Sequence, residues 1–477
     1  MKWVSSENLH PEGDGTPGNG GILSSGTSAS TLHLPEAPVS DEKINSIQDV
    51  QASSSTTHST TDLPEVLSTN EKIDSVPDGG LPAWLVVLGA WCGLFCSLGW
   101  LNSIGIFQSY YETTLLHQYS ASAISWIPSF EIFFTFVMSP IIGQLYDRFG
   151  PRFVILGGSF LHVFGLMMAS LSTSYYQLLL SQGVCSALGI CAIFQPCMSC
   201  IPSWFQRKRG IAYGIISSGT SLGGVIFPIM VSRLIKVVGY AWSMRISAFL
   251  ILFLLVIVNL TVKTRLPPSS QTHKMSKKTL LQPLKEITMI LVVLGFFFLT
   301  FGVFVPINYL VVQATKVGMS SNLAQYLAPI LNAASLFGRL LAGVLSDRVG
   351  TYNVLMIACY LAGIFCLALW IPAANTAAVM AFTILFGMTS GAYIALAAAL
   401  VVRISPIREI GYRTGLLFFI GAFSGLTASP IAGAILQRED GSYTGMQVFS
   451  GATLLVGSSF ILVVRIYKTG PVLRARF

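Results

Sequence analysis

From Ala83 to about residue 466, the chain alternates long apolar runs with short polar breaks. A helix needs about 20 mostly apolar residues to cross roughly 30 Å of hydrocarbon, and these runs approach or exceed that length. The pattern predicts twelve spans, six on each side of a polar segment, at 83–107, 123–145, 153–172, 176–202, 211–232, 242–262, 287–313, 323–345, 353–371, 377–401, 414–436 and 446–466. The expected fold is therefore an all-α integral membrane protein.

Composition supports this interpretation. Of the 477 residues, 53% are hydrophobic and only 10% are charged, whereas an ordinary soluble domain carries about 25% charged residues. The lipid bilayer is therefore an expected partner. A soluble enzyme, a secreted disulfide scaffold and a nucleic-acid binder are excluded. No cluster of His, Asp and Glu side chains converges in the spans, so we expect neither an enzyme nor a metal or cofactor site.

Charge is distributed unevenly along the chain. Residues 1–80 hold 12 acidic and 3 basic side chains and many Ser, Thr, Gly and Pro residues, a composition typical of a disordered cytoplasmic tail. We therefore predict this tail, a six-helix half at 81–265, a basic cytoplasmic loop at 266–286 and a second six-helix half at 287–477. With both termini inside, the short inner segments hold 18 Lys and Arg residues and the outer ones four, which satisfies the positive-inside rule.

The two halves share a repeated loop. After the second span the chain has the pattern G-x-L-x-D-R-x-G over residues 143–150, and after the eighth span it has the same pattern over 343–350. A matching offset of 200 residues is one six-helix unit, which indicates a duplicated scaffold. An acid beside an arginine at a helix end can hold neighbouring helix ends together. The predicted conformational latch comprises Gly143, Asp147, Arg148, Gly343, Asp347 and Arg348.

This loop resembles the signature of the major facilitator superfamily. Two further segments resemble motifs of its monocarboxylate porter family: Asp78-Gly79-Gly80 ahead of the first span, and residues 204–214 entering the fifth. The resemblance covers residues 78 to about 466, and the acidic tail is similar to that of fungal members. It implies a transporter whose halves rock about a central cavity to give alternating access. The chain has no G-x-x-x-x-G-K-[ST] loop, so we expect secondary transport without ATP.

Two charges inside the predicted spans need an explanation, since a charge in hydrocarbon costs several kcal/mol. Arg339 aligns with the family's substrate-pairing arginine, and its guanidinium could grip a carboxylate with two hydrogen bonds. It could instead reach the inner interface or pair with helix carbonyls. Glu131 is the candidate for proton coupling, with protons as the candidate coupling ion; alternatively it is a neutral, hydrogen-bonded residue near the external vestibule.

Polar side chains on helices that could face the cavity complete the candidate substrate site. They are Asn102, Gln195, Asn308 and Tyr393, each of which could instead bond a neighbouring helix. The chain also departs from the proton-linked members of the family, which have a lysine where Asn102 stands and an acid where Ser335 stands. This departure favours a larger, partly apolar cargo over lactate or pyruvate. An aromatic lining could come from Phe296, Phe297, Phe298, Phe301 and Tyr309.

The sequence thus predicts a secondary transporter that moves a small organic anion or acidic secondary metabolite across the plasma membrane, with export favoured. Proton-linked uptake of a monocarboxylate or a vitamin-like nutrient is the alternative within the same class. An alternative of another class is a nutrient sensor that uses the same fold without transporting anything.

Overall fold

A computed structural model describes residues 76–265 and 280–472 of the chain. Most of the predicted acidic tail at 1–80 and of the predicted basic loop at 266–286 lies outside the described residues.

Long apolar helices make up almost all of the described chain, as the hydrophobic pattern predicts. We number them by crossing: α1 Leu81–Leu115, α2 Ser122–Phe149, α3 Pro151–Leu171, α4 Tyr175–Ser203, α5 209–238, α6 240–261, α7 Ile287–Lys316, α8 Ser321–Val349, α9 Thr351–Trp370, α10 Thr376–Ile404, α11 Ile407–Arg438 and α12 Thr444–Thr469. We call α1–α6 the N-terminal half and α7–α12 the C-terminal half.

The division between α5 and α6 depends on one glycine. Residues Arg209–Thr261 form a run of 53 residues, far longer than one crossing, but Gly239 has φ 79° and ψ 170° and interrupts the helix. A residue with a Cβ rarely adopts this conformation, whereas glycine does so freely. The break turns one long helix into two crossings. Within residues 76–265 and 280–472 the structure therefore has twelve crossings, which confirms the predicted fold class.

An even number of crossings brings the two ends of the helical region to the same side. We call this side the termini face; it carries the start of α1 at Leu81, the end of α12 at Thr469, and the two repeated acids Asp147 and Asp347. The other side is the opposite face. Helix ends at the termini face are where the repeated loops can meet helices of the other half.

The first crossing is longer and less regular than the sequence predicts. It was expected to end at residue 107, but helical structure continues to Leu115. A turn interrupts it at Asn102 and Ser103, and two stretches of π-helix occur at Phe95–Gly99 and Tyr111–Leu115. The polar residues of 108–114 lowered the apolar signal, so the pattern placed the end too early. The segment Ile104–Leu115 is thus joined to the rest of α1 through a tight turn, in which Asn102 donates to Gly99 and Ser103 donates to Trp100.

Candidate functional site

The repeated acids join the two halves at the termini face. Asp147, at the end of α2, accepts hydrogen bonds from the backbone N–H groups of Gly411 (2.9 Å) and Tyr412 (2.8 Å) at the start of α11. Asp347, at the end of α8, accepts from Gly210 (2.7 Å) and Ile211 (2.9 Å) at the start of α5. Both acids use N–H groups that a helix start leaves without intrahelical partners, and the positive end of the helix dipole favours their charge.

Glycines allow these helices to approach closely. A Cβ on Gly143 would lie 2.0 Å from the carbonyl oxygen of Gly411, and one on Gly343 would lie 2.7 Å from that of Gly210. The arginines of the repeat have other surroundings: Arg148 lies over the ring of Phe149 at 4.9 Å, and Arg348 is solvent-exposed. The carboxylates and the glycines therefore make the cross-half contacts.

A second family-type motif is anchored at the same face. The Asp78 carboxylate accepts hydrogen bonds from the backbone N–H groups of Gln206 (2.6 Å), Arg207 (2.6 Å) and Lys208 (3.3 Å), in the loop between α4 and α5. The N–H of Asp78 donates to the carbonyl of Trp204 at 3.2 Å. The acid ahead of α1 and the segment at 204–214, which the sequence singles out separately, are therefore in direct contact.

Deeper in the membrane, one face of α8 forms a row of polar contacts with the N-terminal half. Its members are Asn332, Ser335 and Arg339, spaced three and four residues apart so that they share one side of the helix. Asn332 donates to the side-chain oxygen of Asn102 on α1 at 3.3 Å. Ser335 accepts from Ser221 on α5 at 3.4 Å. We call these three α8 residues with their partners Asn102, Ser221 and Ser217 the polar seam.

Arg339 is the charged member of the polar seam, and its side chain is buried. Its Nε donates to the hydroxyl of Ser335 at 3.1 Å, and its Nη1 donates to the backbone carbonyl of Ser217 on α5 at 2.7 Å. No described carboxylate forms an ion pair with it. Neutral oxygens therefore hold the guanidinium in this conformation, and one of its hydrogen bonds crosses between the halves.

An aromatic layer also joins the halves. The ring of Phe418 on α11 lies 5.3 Å from Phe194 on α4 and 5.8 Å from both Phe136 on α2 and Phe296 on α7. Tyr393 on α10 stacks on Phe296 at 4.7 Å. Rings at these separations pack favourably and fill the space between the helices. We call these five residues the aromatic layer.

Only part of the predicted aromatic lining belongs to this layer. Phe296 does, but Phe298 stacks on Phe460 of α12 at 5.7 Å and Phe301 contacts Phe449 of α12 at 5.8 Å. Consecutive residues of a helix point in different directions, so a run of phenylalanines cannot all face one cavity.

The predicted polar site residues do not form one cluster. Asn102 belongs to the polar seam and Tyr393 to the aromatic layer, where its hydroxyl lies 2.5 Å from that of Thr300. Gln195 donates to the carbonyl of Gly411 at 2.9 Å, beside the Asp147 contact. Asn308 is exposed and donates to Ser429 at 2.7 Å, in the part of α7 nearer the opposite face. Arg339 lies about 12 Å along α8 from Asp347, far from the level of Asn308.

Together, these contacts define the conformation. The contacts of α8 with α5 and α1 extend from Asp347 to Asn332, about 22 Å along the helix, and those of α2 with α11 extend from Asp147 to Phe133, about 21 Å. In the part of the chain that the structure describes, no cross-half hydrogen bond or ring contact lies nearer the opposite face. The two halves are thus closed against each other at the termini face.

Glu131 lies outside this interface, within the N-terminal half. Its side chain is buried, and Oε2 accepts a hydrogen bond from the Gln182 amide on α4 at 2.8 Å. Gln182 in turn accepts from the hydroxyl of Tyr111 on α1 at 2.6 Å, and that hydroxyl lies 2.9 Å from the hydroxyl of Tyr240 on α6. Within residues 76–265 and 280–472, Oε1 of Glu131 has no hydrogen-bond partner.

Sequence reasoning missed several of these residues. The Ser217 partner of Arg339 is a backbone carbonyl, which leaves no signal in the sequence. Phe418 looks like any apolar residue of a span. Asn332 could have been found, because it lies two helical turns before Arg339 on the same side of α8.

Known proteins share this architecture. The family model of the Major Facilitator Superfamily matches residues 83–312 and 290–476. The chain is 61% identical over 394 residues to the MFS transporter asaE of Aspergillus flavus, covering 83% of this chain and 89% of that protein. It is 50% identical over 394 residues to the fujikurins efflux protein of Gibberella fujikuroi, covering 82% and 84%.

Among solved structures, the fold is similar to that of FucP, a major facilitator transporter in the outward conformation. The TM-score is 0.65 with 18% identity, over 80% of this chain and 98% of FucP. At this identity the likeness concerns the fold alone. The family match and the two relatives, each covering more than four-fifths of the chain, agree with the twelve crossings. The chain therefore belongs to the major facilitator superfamily of membrane transporters.

Proposed function

We propose that this transporter exports a small organic acid or acidic secondary metabolite across the plasma membrane. The termini face is then cytoplasmic, as the excess of Lys and Arg residues in its short loops favours. A relative of 50% identity whose name gives fujikurin efflux as its role supports export. With this orientation, the structure is the outward-facing state, closed towards the cytosol.

The observation that carries this proposal is the hydrogen bond from Arg339 to Ser217. In the outward-facing state this bond and the one to Ser335 occupy the guanidinium, and α5 covers it. Opening of the cytoplasmic side separates α5 from α8 and frees Arg339 for a carboxylate, which binds the fork of a guanidinium better than a carbonyl does. Closing the same side restores the Ser217 contact and displaces the anion. The cavity thus binds an anion from the cytosol and releases it outside.

We also propose that the chain is a member of the monocarboxylate porter family with a changed site. The direct contact of Asp78 with the loop at 204–208 supports this, because one family-type motif holds the other in place through hydrogen bonds. Two neutral residues replace the lysine and the acid of proton-linked members. Asn102 accepts from Asn332, and Ser335 accepts from Arg339. Without a competing acid four residues away, Arg339 is available to a cargo anion.

The aromatic layer indicates the kind of cargo. Its rings lie at about the same depth as Arg339, counting residues from the helix ends at the termini face. A cargo that pairs its carboxylate or enolate with Arg339 would therefore lie at the depth of these rings. This arrangement favours a conjugated or aromatic acid over a two- or three-carbon acid.

The proposal is tested by efflux of fluorescein, an aromatic organic anion, from yeast cells loaded through its diacetate ester. Expression of the wild-type chain should accelerate efflux, and Arg339→Leu should reduce the transporter-dependent rate at least about a hundredfold. The reason is that hydrogen bonds to charged groups contribute about 1.5–3 kcal/mol each, and 1.4 kcal/mol corresponds to a factor of ten. Arg339→Lys keeps the charge without the fork and should retain a small part of the rate.

The matched control is Arg245→Leu. Arg245 also donates from Nε to a serine, Ser170, at 3.2 Å, but both residues lie in the N-terminal half. This variant should transport at close to the wild-type rate. Normal efflux by Arg339→Leu at equal surface abundance would disprove the role of Arg339. Accumulation of fluorescein from the medium against its gradient would reverse the proposed direction.

A further inference from the structure

We propose that Glu131 is the site where an inward-moving proton binds and is exchanged for the exported anion. This inference rests on the proposed function, and it adds the coupling ion and the residue that carries it.

The surroundings of Glu131 favour a neutral carboxyl group. The carboxyl is fully buried, one oxygen has a single amide donor, and the other has no partner in the described chain. An ionised carboxylate in such surroundings would lack both water and a cation, which costs several kcal/mol. A neutral acid incurs only the smaller cost of one unpaired buried hydroxyl. In the outward-facing state Glu131 therefore carries a proton, with Oε2 accepting from Gln182 and the proton on Oε1.

The hydrogen bonds that lead to Glu131 all run in one direction. Tyr111 donates to the Gln182 carbonyl oxygen, which turns the Gln182 amide towards Glu131. The Tyr111 hydroxyl hydrogen is thereby used, so Tyr240 donates to Tyr111. Each neutral group thus donates a hydrogen bond to the next, and the last one donates to the carboxyl of Glu131. We call Glu131, Gln182, Tyr111 and Tyr240 the buried polar chain.

The groups that face Glu131 from the surrounding helices contain no competing charge. The titratable groups whose field reaches it are Tyr111 from α1 and Tyr240 from α6. Helix α4 contributes the neutral Gln182. Helix α11, which packs on the same stretch of α2, contributes the apolar ring of Phe423 against Phe133. Within the described residues, no Lys, Arg, Asp or His contacts Glu131, so its own proton decides the charge of this region.

The backbone around the buried polar chain can rearrange. Tyr111 begins the π-helical stretch Tyr111–Leu115, and Gln182 lies in the π-helical stretch Leu179–Ser186. Stretches of π-helix occur frequently at functional sites, where a small shift of register re-aims side chains. Two of the four members of the buried polar chain, Tyr111 and Gln182, therefore lie on π-helical backbone.

A connection to the substrate site runs through the break in α1. Asn102 lies at the turn that separates Ile104–Leu115 from the rest of the helix, and it accepts from Asn332 of the C-terminal half. Asn332 shares a face of α8 with Arg339. When the halves rock, the outer segment of α1 moves with this contact and shifts Tyr111 relative to Gln182. Separation of the buried polar chain exposes Glu131, which then loses its proton.

The proton balance over one cycle follows. Glu131 takes a proton from external water before the buried polar chain closes over it, and the outward-facing state described above holds that proton. After the cytoplasmic side opens, the proton leaves to the cytosol, and the anion binds Arg339. One proton moves inward for each anion that moves outward. Both movements make the interior more positive, so each cycle transfers two charges across the membrane in the same direction. An inside-negative membrane potential and an acidic exterior both drive export.

Infrared difference spectroscopy on the full-length protein in lipid vesicles tests the proton site without any cargo. The wild-type protein at neutral pH should show the carbonyl stretch of a protonated, buried carboxylic acid. Glu131→Gln should remove this band, and Glu131→Asp should shift it. The matched control is Glu112→Gln: Glu112 follows Tyr111 directly but is partly exposed and accepts from Gln108 of the same helix at 2.9 Å. This control should leave the band unchanged.

Coupling is tested by fluorescein efflux at a series of external pH values. Wild-type efflux should accelerate as the medium is acidified, whereas Glu131→Gln should export at a rate that no longer responds to pH. Tyr111→Phe, which removes a positioning hydroxyl, should shift the pH profile while keeping export. A band that persists in Glu131→Gln, or a wild-type pH response in that variant, would overturn the inference. If no variant exports fluorescein, the band alone decides the proton site, and it is the export proposal that fails.

Discussion

The two halves of the molecule are alike at the termini face and different at mid-membrane. Asp147 and Asp347 lie 200 residues apart in sequence, and each accepts two backbone N–H groups from a helix start in the other half. About 12 Å along the helix from these acids, the two halves no longer match. The position equivalent to Arg339 is Ser139, a buried serine whose hydroxyl lies 3.6 Å from the thiol of Cys191.

The contacts that close the termini face are therefore duplicated, whereas the proposed binding groups are not. Closing one face requires the same contact on both sides of a pseudo-symmetry axis, so both copies of the latch are used. In the proposed mechanism one guanidinium binds the anion and one carboxyl binds the proton. Arg339 and Glu131 have no equivalents in the other half, where the corresponding positions are Ser139 and Leu331.

The largest effect on the shared mechanics should come from the glycines. Gly143→Ala places a Cβ 2.0 Å from a backbone oxygen that cannot move aside, whereas in Gly343→Ala the nearest such distance is 2.7 Å. Overpacking of this kind costs about 1–3 kcal/mol, which corresponds to roughly a fivefold to hundredfold loss of the closed state. Export should fall accordingly, and further for Gly143→Ala.

The closed state is measured by labelling a cysteine introduced at Ser346, which is buried beside Gly210 at the latch. Labelling should rise in both glycine variants. The matched control is Gly157→Ala on α3, where a Cβ would meet nothing within 4 Å. Equal labelling and export in all three variants would show that the close approach is unnecessary.

A smaller effect is expected from the latch acids. Asp147→Asn and Asp347→Asn each keep one acceptor oxygen and lose the charge and the second hydrogen bond. Because the amide oxygen keeps one contact, the loss is close to that of one typical hydrogen bond, about 0.5–1.5 kcal/mol, so each variant should shift the closed state roughly two- to tenfold, and by similar amounts. Asp440→Asn, on the loop at the opposite face, is the control. A strong effect of one acid and none of the other would contradict the mechanical equivalence of the halves.

The smallest effect should come from Asp78, which ties α1 to the α4–α5 loop within one half. Partial burial acts to raise the pKa of Asp78, but the backbone donors at Gln206, Arg207 and Lys208 outweigh it and hold that pKa below its ordinary value. A lowered pKa means that the anchor stabilises the fold at neutral pH and loses this contribution only as the pH falls through the lowered value.

Asp78→Asn should therefore lower the thermal stability slightly at neutral pH and export about two- to fivefold, since the exposed anchor contributes about 1 kcal/mol or less. The difference from the wild type in a thermal unfolding assay should narrow under acid conditions. A variant that loses export as completely as Gly143→Ala would show that the anchor belongs to the latch.

Much of this structure could be predicted from the sequence. The twelve crossings follow from the lengths of the apolar runs, because hydrocarbon thickness dictates helix length. The latch acids follow from the 200-residue repeat. The end of α1 at Leu115 could not be predicted, since its last turns carry polar residues and π-helical backbone. The polar seam was found only in part, because Ser217 contributes a carbonyl that every residue possesses.

The candidate site was harder to predict than the fold. A single polar residue in a span can face a cavity or a neighbouring helix, and the sequence does not distinguish these cases. Asn308 illustrates the problem: its depth in α7 separates it from Arg339, and its amide bonds Ser429. The depth of a residue in the membrane and the direction in which its side chain points depend on helix tilt and packing, which the identity of the side chain does not encode.

The most direct test of export through Arg339 is untargeted metabolite profiling of cells and medium, comparing strains that carry the wild-type gene, the Arg339→Leu variant or a deletion. We expect an acidic compound that appears in the medium of the wild type alone and builds up inside the cells of the other two strains. A compound that only the wild type removes from the medium would contradict export. A compound exported equally by Arg339→Leu would contradict the role of the arginine.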